Sequence, residues 1–581
     1  MNIGIDFGST YSMVSKYNSE KDLVEAFTPA EGVPASVPSV VSISKKGQVT
    51  CGFGAKEQIG KKTVRIFDSF KMLLTECNQE MLNLRGYTGE FTPRLITKHY
   101  LKSLLQGVVQ REHCQGFDNV VICVPEIWGK NLNTLDGRVI LRDVLRNDME
   151  YPIRHIQVVT EPEAASAFIA YNFEKETKKS FNGHLLLIDY GGGTLDLTLT
   201  QVFSDGKGVM EIGYREGGGA GENHPDEKGE GNIGNAGIAF MQDVVVRALR
   251  DAGMLGKTET PDYTKPDFVA AVRDLESQMK SAERIKDIED AFEPYGSYRN
   301  FDQILDDDDD EFVSIEYEEE EISVTYRHIY QSYHEIIEGV LSKHINLINE
   351  AVKKHINADP CEPEAGVRDD FKIALVGGFG SFYLVKQQIA EIYKLDSNSQ
   401  IDLRTKNISG DKREQAISLG AALLAAGKIV LQKTARYSIG IYASGQDGKA
   451  RPFYGIKYHQ TVECGKPYFI CYDESAPDVP GNRVTYGGLH GNIEVFAIEF
   501  TERRDHGGLM NLKPEILKRM QQLPEEGFWN LGFSMDENDV ISFHIVPRTI
   551  PGLPVKSNGI VIPLDSYTKM FDLTAIREVS V

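Results

Sequence analysis

One short pattern occurs twice in this chain, and it constrains the fold more than any other feature. The apolar run Asn2–Asp6 leads into the glycine-containing segment Phe7–Tyr11 and then into alternating apolar and polar residues. The run Leu185–Asp189 leads in the same way into Tyr190–Thr194 and a second alternating segment. Each copy is typical of a β-strand, a glycine turn and another β-strand. The sequence therefore predicts two structurally related halves.

Helical periodicity lies between and after the two copies. It covers Leu95–Arg111, Glu161–Phe173, Ile238–Asp251 and, as the longest stretch, Tyr326–His355. Apolar strands are predicted at Val120–Pro125 and Phe371–Val376, each as an edge of one half. Strands that alternate with helices favour an α/β architecture.

The pattern changes after Gly427, where helical periodicity gives way to short alternating segments separated by glycine and proline. These segments are Tyr437–Tyr442, Pro467–Tyr472, Asn492–Phe500 and Val540–Val546. Such spacing is typical of a compact β domain. We therefore expect one domain over residues 1–427, an interdomain linker over 428–434 and a β-rich domain over 435–581.

Two segments are predicted to leave the core of the first domain. Residues 213–237 contain nine glycines among 25 residues, which is typical of a flexible surface loop. Residues 302–321 contain twelve acidic and no basic residues. Such a run repels itself, so we expect a solvated loop and hairpin, with an acidic docking surface as the alternative.

The net charge of the chain limits the partners that it can bind. The 581 residues include 63 Lys and Arg against 85 Asp and Glu, a net charge of −22, which repels the phosphates of nucleic acids and anionic lipids. The opening Met1–Asp6 lacks the basic flank and apolar core of a signal peptide. We expect a cytoplasmic protein without nucleic-acid or membrane partners.

The glycine turns suggest phosphate binding, because glycine allows the backbone N–H groups to approach a phosphate closely. The candidate residues are Gly8, Ser9, Thr10 and Tyr11 in the first turn, Gly191, Gly192, Gly193 and Thr194 in the second, and Gly377 and Gly378 in a third turn that would pass under a nucleoside. Asp6 and Asp189 end the strands that enter the first two turns. Carboxylates beside phosphates fit Mg²⁺, which we expect them to hold through water.

Five ordered segments resemble the nucleotide-site motifs of the superfamily that contains actin, sugar kinases and the seventy-kilodalton heat-shock chaperones. They are Ile3–Tyr11, Val159–Ala165, Leu187–Asp196, Leu375–Gly378 and Ala416–Ala422. The residues of these motifs are most similar to those of the DnaK-type heat-shock branch, and the resemblance covers roughly residues 1–430. It implies an α/β chain with a duplicated actin-like ATPase fold in two lobes, followed by a C-terminal β-sandwich-like domain.

The resemblance also implies roles for single residues. Lys71 would approach the γ-phosphate of ATP and orient the attacking water, while Glu161 would contact the water shell of Mg²⁺. Thr194 would donate a hydrogen bond to the γ-phosphate, and either Asp189 or Asp6 would position the water. Phosphoryl transfer needs an in-line water and charge neutralisation more than a strong base, so we expect slow hydrolysis of ATP to ADP.

Two departures concern the nucleoside. The family follows its third glycine turn with Ser-Thr-Arg, whose arginine packs on adenine, whereas this chain has Phe379-Gly-Ser381. We expect Phe379 or a neighbour to supply an apolar face instead. A helical Glu and Lys would bind the ribose, and Glu283 with Lys286 is our choice, with Glu276 and Lys280 as the alternative register.

The C-terminal part resembles the chaperones more loosely. Residues 429–431 resemble their interdomain linker and Tyr437–Ile441 the first strand of their peptide-binding domain, but their helical lid has no counterpart here. We expect a peptide or protein client bound by the β domain and a co-chaperone or exchange factor. The alternatives are an actin-like assembly protein, a sugar-kinase-like enzyme and a pseudoenzyme scaffold that binds ATP without turnover.

Overall fold

The computed structural model of this chain describes most of the first 435 residues and a smaller share of those that follow. The described residues are 1–68, 70–76, 78–125, 128, 137–204, 210–220, 236–295, 310–360, 370–394, 410–435, 437–444, 450–457, 460–471, 485–487, 494–499, 506–511, 523, 528–536, 541–548, 559–564 and 577–580. The chain divides into two units, the first formed by residues 1–127 and 140–431 and the second by residues 128–139 and 432–581.

The elements up to Thr160 build one large and one small sheet. They are strands β1 (Asn2–Asp6), β2 (Tyr11–Asn18), β3 (Leu23–Ala26), β4 (Val37–Pro38), β5 (Val41–Ser44), β6 (Val49–Cys51), β7 (Val64–Phe67), β8 (Phe117–Val124) and β9 (Ile153–Thr160), and helices α1 (Phe53–Lys56), α2 (Gln79–Leu84), α3 (Pro93–Glu112) and α4 (Gly137–Asn147). The large sheet has the order β3-β2-β1-β8-β9, with β4 paired to β2, and the small sheet has the order β6-β5-β7.

The elements from Glu161 to Gln432 build a second large sheet and most of the helices. They are α5 (Glu161–Thr177), β10 (Gly183–Tyr190), β11 (Leu195–Phe203), β12 (Met210–Ala220), α6 (Gly237–Asp251), α7 (Pro266–Met279), α8 (Ala282–Phe292), β13 (Glu311–Tyr317), β14 (Glu320–Thr325), α9 (Tyr326–Ser332), a π-helical segment (Tyr333–Glu338), α10 (Gly339–Ile356), β15 (Phe371–Val376), α11 (Tyr383–Ile392), α12 (Gly410–Ala425) and β16 (Ile429–Gln432). The sheet order is β15-β10-β11-β12-β16, and β13 pairs with β14.

The two large sheets repeat one design, as the duplicated sequence pattern predicted. Strand β1 pairs antiparallel with β2 and parallel with β8. Strand β10 likewise pairs antiparallel with β11 and parallel with β15. Each glycine turn thus joins a central strand to its antiparallel neighbour, with a parallel strand on the other side. The predicted mixed α/β class is confirmed.

Helix α12 lies unusually close to both β1 and α5. A Cβ atom on Gly420 would be 1.7 Å from the carbonyl oxygen of Ala164, and one on Gly4 would be 2.2 Å from the amide nitrogen of Ala422. The hydroxyls of Ser15 and Ser418 form a buried hydrogen bond of 2.8 Å at the same crossing. Glycine is needed at both positions because backbone atoms fill the space that a side chain would occupy.

The Gly420→Ala variant is therefore expected to lose about 2 to 3 kcal/mol of unfolding free energy, because an added methyl group in a filled core forces the backbone to move. Chemical denaturation followed by circular dichroism measures the change. The matched control is Gly339→Ala on α10, where a Cβ atom meets nothing within 4 Å. That variant is expected to gain up to about 1 kcal/mol. Equal stabilities of the two variants would contradict the packing argument.

The helical predictions are confirmed with slightly longer bounds in α3, α5 and α6. The long prediction over residues 326–355 corresponds to α9, the π-helical segment and α10, which follow one another without a break. The carbonyl of Glu338, at the end of the π segment, accepts a hydrogen bond from the side-chain amide of Gln388 at 2.9 Å.

Within the described part of the chain, no helix combines the length and apolar character that a membrane crossing requires.

Two predictions about strands were wrong. Strand β8 is internal, because β9, which the sequence analysis did not identify, pairs on its outer side. Residues 213–220, predicted as part of a loop, belong to β12 and pair with β11. The glycines there suit a strand, since a Cβ atom on Gly219 would lie 2.5 Å from the carbonyl oxygen of Leu195. Residues 221–235 of the predicted loop lie outside the described residues.

The acidic segment forms a hairpin over the part that the structure describes. Strands β13 and β14 pair antiparallel, with Glu316 opposite Glu321 and Ser314 opposite Ser323. Phe312, Val313 and Ile315 are buried, whereas Glu311, Glu316 and Glu320 are exposed. The predicted hairpin and its solvated acidic face are confirmed, but the prediction that the segment leaves the core was wrong, because the alternate apolar residues pack into the core of the first unit. Residues 302–309 lie outside the described residues.

From residue 437 onward, the described residues of the second unit form mostly short strands, as the C-terminal pattern predicted. They are β17 (Tyr437–Ser444), β18 (Ala450–Ile456), β19 (Tyr468–Phe469), β20 (Thr485–Gly487), β21 (Glu494–Glu499), β22 (His506–Asn511), β23 (Phe528–Met535), β24 (Ile541–Pro547), β25 (Ile560–Leu564) and β26 (Arg577–Ser580). One sheet has the order β18-β17-β21-β22-β26 and the other the order β19-β23-β24-β25, with β20 paired to β23. The sheets approach each other where a Cβ atom on Gly455 would be 2.5 Å from the Phe533 ring.

Candidate functional site

A cleft of about 470 Å³ within the first unit brings the three glycine turns together. The turn residues that line it are Gly8, Ser9, Thr10, Tyr11, Gly191, Gly192, Gly193, Thr194, Gly377 and Gly378. The two turns of the duplicated design contribute from separate sheets, and the third follows β15. Asp6, Lys71, Glu161 and Asp189 line the same cleft.

The first two glycine turns touch each other. A Cβ atom on Gly192 would lie 2.3 Å from the Thr10 hydroxyl oxygen, and one on Gly193 would lie 2.4 Å from the Ser9 hydroxyl oxygen. Side chains at these two positions would therefore push the turns apart. The Thr10 hydroxyl is buried and has no hydrogen-bond partner among the described residues.

Backbone and hydroxyl contacts fix the shape of each turn. The Ser39 amide donates to the carbonyl of Thr10 at 2.8 Å, and the Ser39 hydroxyl donates to the carbonyl of Gly8 at 2.7 Å. In the second turn the Gly191 amide donates to the carbonyl of Thr194 at 2.9 Å, and the Ile238 amide donates to the carbonyl of Gly192 at 2.6 Å. The start of α6 therefore supports the second turn.

A cluster of buried charged side chains lies beside the turns. The Lys71 ammonium donates a hydrogen bond to the Glu161 carboxylate, and both side chains are almost completely buried. Burial and the nearby Glu161 raise the pKa of Asp6 to about 7, although Lys71 opposes this change. Burial, Glu161 and further carboxylates raise the pKa of Asp189 well above its ordinary value. Four carboxylates, including that of Asp196, thus share one lysine.

Lys71 remains charged in this cluster. Burial alone would lower its pKa, but the attraction of Glu161 and Asp6 outweighs burial and raises the pKa. One carboxylate oxygen of Asp189, Oδ2, is buried without a hydrogen-bond partner in the described part of the chain. The cluster therefore has an excess of acceptors and of negative charge.

This donor set fits a divalent cation held through water. Oxygen ligands suit Mg²⁺, which keeps several of its waters in protein sites. Among the described residues, no group of three or more His, Cys, Asp or Glu side chains is arranged to hold a metal ion directly. The unpartnered oxygen of Asp189 and the raised pKa of Asp6 are both consistent with an added positive charge.

The third turn packs against Asp189. Gly377 has a φ of +83°, and a Cβ atom there would lie 2.4 Å from Asp189 Oδ1. Phe379 lines the cleft, but its ring is largely buried and packs on the rings of Tyr190, Phe240 and Phe382 at centroid distances of 5.2 Å each. Most of the Phe379 ring therefore belongs to the core.

The two candidate pairs for the ribose lie on different helices. Glu276, on α7, and Lys280, which ends that helix, line the cleft and form an ion pair of 2.9 Å. Glu283 and Lys286 are exposed on α8 and are not among the residues that line the cleft. The structure thus brings the alternative pair to the turns and not the pair that we chose.

Further side chains at the cleft were not identified from the sequence. The Lys56 ammonium donates to the Tyr11 hydroxyl at 3.2 Å, and the Lys280 ammonium lies 4.3 Å from the centre of the Tyr11 ring. Arg273 forms ion pairs with Glu276 at 2.8 Å and with Asp68 at 3.4 Å. No motif marks Lys56, Asp68 or Arg273, because the contacts of Lys56 with Tyr11 and of Asp68 with Arg273 join residues that are distant in the sequence.

Two glycine turns that touch each other beside buried carboxylates are typical of sites that bind phosphates, and here they lie on a duplicated α/β fold.

Comparison with curated proteins supports the same kind of site. A chaperone protein dnaK of Cyanidium caldarium is 28% identical over 233 residues, covering 36% of this chain and 34% of the relative. A chaperone protein DnaK of Thermosipho africanus is 28% identical over 214 residues, covering 36% of this chain and 31% of the relative.

A third relative is the chloroplastic heat shock 70 kDa protein 6 of Arabidopsis thaliana, which is 27% identical over 233 residues, covering 36% of this chain and 29% of the relative. The chain thus spans about a third of the length of the curated relatives that it matches. No protein-family model matches the chain. These relatives support a relationship to the DnaK and seventy-kilodalton heat-shock chaperones.

Proposed function

We propose that this chain is a divergent member of the DnaK-type chaperones that binds ATP with Mg²⁺ and hydrolyses it slowly. The observation that carries the proposal is the contact between the first two glycine turns directly beside the Asp6, Lys71, Glu161 and Asp189 cluster. The similarity of this chain to two chaperone proteins named DnaK supports the proposal.

In this proposal the three glycine turns hold the nucleotide. Backbone N–H groups and the hydroxyls of Ser9, Thr10 and Thr194 donate to the phosphates, and the Gly377-Gly378 turn passes under the nucleoside. Bound Mg²⁺ supplies charge neutralisation, with Asp6 and Asp189 as the carboxylates that hold its water shell. Of the two ribose candidates, the structure favours Glu276 and Lys280, which line the cleft.

Lys71 and the carboxylates around it prepare the attacking water. The Glu161 carboxylate holds the Lys71 ammonium in place and keeps it charged, so that it can orient the water and stabilise the transferring phosphoryl group. Asp189 or Asp6 accepts a hydrogen bond from that water. In this proposal the carboxylate positions the water, because the reaction depends on charge neutralisation more than on a strong base.

The nucleotide state is proposed to reach the C-terminal domain through residues 428–434. The β domain over 435–581, which we propose to be sandwich-like, would bind a peptide or protein client, assisted by a co-chaperone or exchange factor. A shift between open and closed arrangements of the two lobes around ATP would carry the signal. The proposed location is the cytoplasm.

Single-turnover hydrolysis tests this function directly. We expect the 581-residue chain with Mg²⁺ and ATP to convert ATP to ADP slowly, and ATP to change the rate of limited proteolysis within residues 428–434. Thr194→Ala is expected to slow hydrolysis by about 100-fold, because one donor to the transition state is removed. ATP binding without hydrolysis and without a proteolytic response would instead support a nucleotide-binding scaffold.

A further inference from the structure

One end of the cleft is formed by α8 and the segment after the third glycine turn. Ile285 and Ile288 line the cleft from α8, and Ser381, Phe382 and Tyr383 line it from the other segment. The two sides are close together, since residues of α8 contact residues of α11, the helix that begins at Tyr383. This end lies next to the turn that we propose to pass under the nucleoside.

The polar side chains at this end already have protein partners. The Ser381 hydroxyl donates to the carbonyl of Gly378 at 2.8 Å, and the Tyr383 hydroxyl accepts from the side-chain amide of Gln387 at 3.4 Å. The cleft-lining residues of α8 and of the described segment 379–383 include no carboxylate, carboxamide or guanidinium group. The hydroxyls of Ser381 and Tyr383 are therefore the side-chain hydrogen-bonding groups that these cleft-lining residues offer to a ligand.

Apolar surface is available instead, from the exposed Ile285 and the partly exposed Phe382. The Phe379 ring packs on Tyr190, Phe240 and Phe382, so little of it is free to cover a ligand. Ile285 is 41% exposed although it lines the cleft. An exposed isoleucine at the edge of a cleft gains free energy when a flat apolar group covers it.

We propose that this end receives the nucleobase by apolar contact, with Ile285 covering one face of the ring, and that it discriminates weakly between adenine and guanine nucleotides. The inference rests on the proposed nucleotide binding. Strong discrimination requires buried polar groups that one base satisfies and the other leaves unpaired, whereas an apolar pocket separates similar ligands only weakly. The expected difference in affinity between ATP and GTP is within about tenfold.

Competition binding on the 581-residue chain tests the inference, with Mg²⁺ present and a fluorescent ATP analogue displaced by ATP, GTP or ITP. Ile285→Ala is expected to weaken all three nucleotides by about tenfold, because part of the apolar contact is lost. Leu347→Ala is the matched control, since Leu347 is a similarly exposed aliphatic residue on α10 that does not line the cleft. We expect it to leave all three affinities unchanged.

Each other outcome has a distinct meaning. A preference for ATP over GTP clearly greater than about tenfold, or unchanged affinities in Ile285→Ala, would overturn the inference and leave nucleotide binding intact. Absence of binding by all three nucleotides would overturn the proposed function and the inference together. Circular dichroism of the Ile285→Ala variant excludes unfolding as the cause of a lost affinity.

Discussion

The Lys71→Met variant is expected to lose about 3 to 5 kcal/mol of unfolding free energy. Lys71 is the cation that faces Asp6, Glu161 and Asp189, and it is paired with Glu161 in a buried position. Removing one partner of a buried ion pair leaves an uncompensated charge, which is far more costly than losing an exposed pair. Urea denaturation of wild type and variant, followed by circular dichroism, measures the difference.

Two further variants separate the charge effect from the loss of packing. Lys71→Met combined with Glu161→Gln removes both charges and is expected to recover more than half of the loss, because buried pairs can be replaced without a large penalty. Lys175→Met removes an exposed lysine that pairs with Asp22, and it is expected to cost less than about 1 kcal/mol. Equal losses in Lys71→Met and Lys175→Met would disprove the role of the buried cluster.

The deficit of Lys71→Met should depend on pH with a definite sign. An acid whose pKa is raised by folding binds its proton more tightly in the folded state, so its unfavourable effect grows as the pH rises and is complete above the folded pKa. For Asp6 that value is about 7 in the wild type. Without Lys71 the carboxylates are expected to hold protons still more tightly. The deficit should therefore shrink as the pH is lowered from about 8 to about 5.

Local patterns allowed the centre of the site to be predicted from the sequence. A strand that ends in aspartate and a glycine turn is specified by a few adjacent residues, and the first two turns lie in the same cleft. Strand β9 was harder to identify, because in Ile153–Thr160 the charged and polar residues Arg154, His155 and Gln157 interrupt the apolar pattern. Its place beside β8 depends on tertiary pairing.

The ribose candidates show why helical periodicity alone was insufficient. The sequence from 266 to 292 can be read as one continuous helix, in which Glu276 with Lys280 and Glu283 with Lys286 have similar spacing. The structure ends α7 at Met279 and begins α8 at Ala282, with the Ser281 hydroxyl accepting from the Arg284 amide. This interruption changes the direction in which the following residues point. A serine N-cap was the signal that could have revealed the break.

The Gly192→Val variant is expected to weaken ATP binding by at least about 1,000-fold, equivalent to about 4 kcal/mol. A valine side chain would occupy the space of the Thr10 hydroxyl, which lies 2.3 Å from the position of a Cβ atom on Gly192, and would separate the two phosphate-binding turns. Isothermal titration with ATP and Mg²⁺ measures the loss. Gly218→Ala on β12 is the control, since a Cβ atom there meets nothing within 4 Å.

Combining a smaller change with a compensating one tests the contact between the turns itself. Gly192→Ala is expected to weaken ATP binding by about tenfold, and adding Thr10→Gly should restore part of that affinity, because the space taken by the new methyl group is then vacated. Recovery would mean that the distance between the turns controls binding. If Thr10→Gly only adds to the loss, the Thr10 hydroxyl contributes more as a phosphate donor than as a spacer, and the two turns act independently.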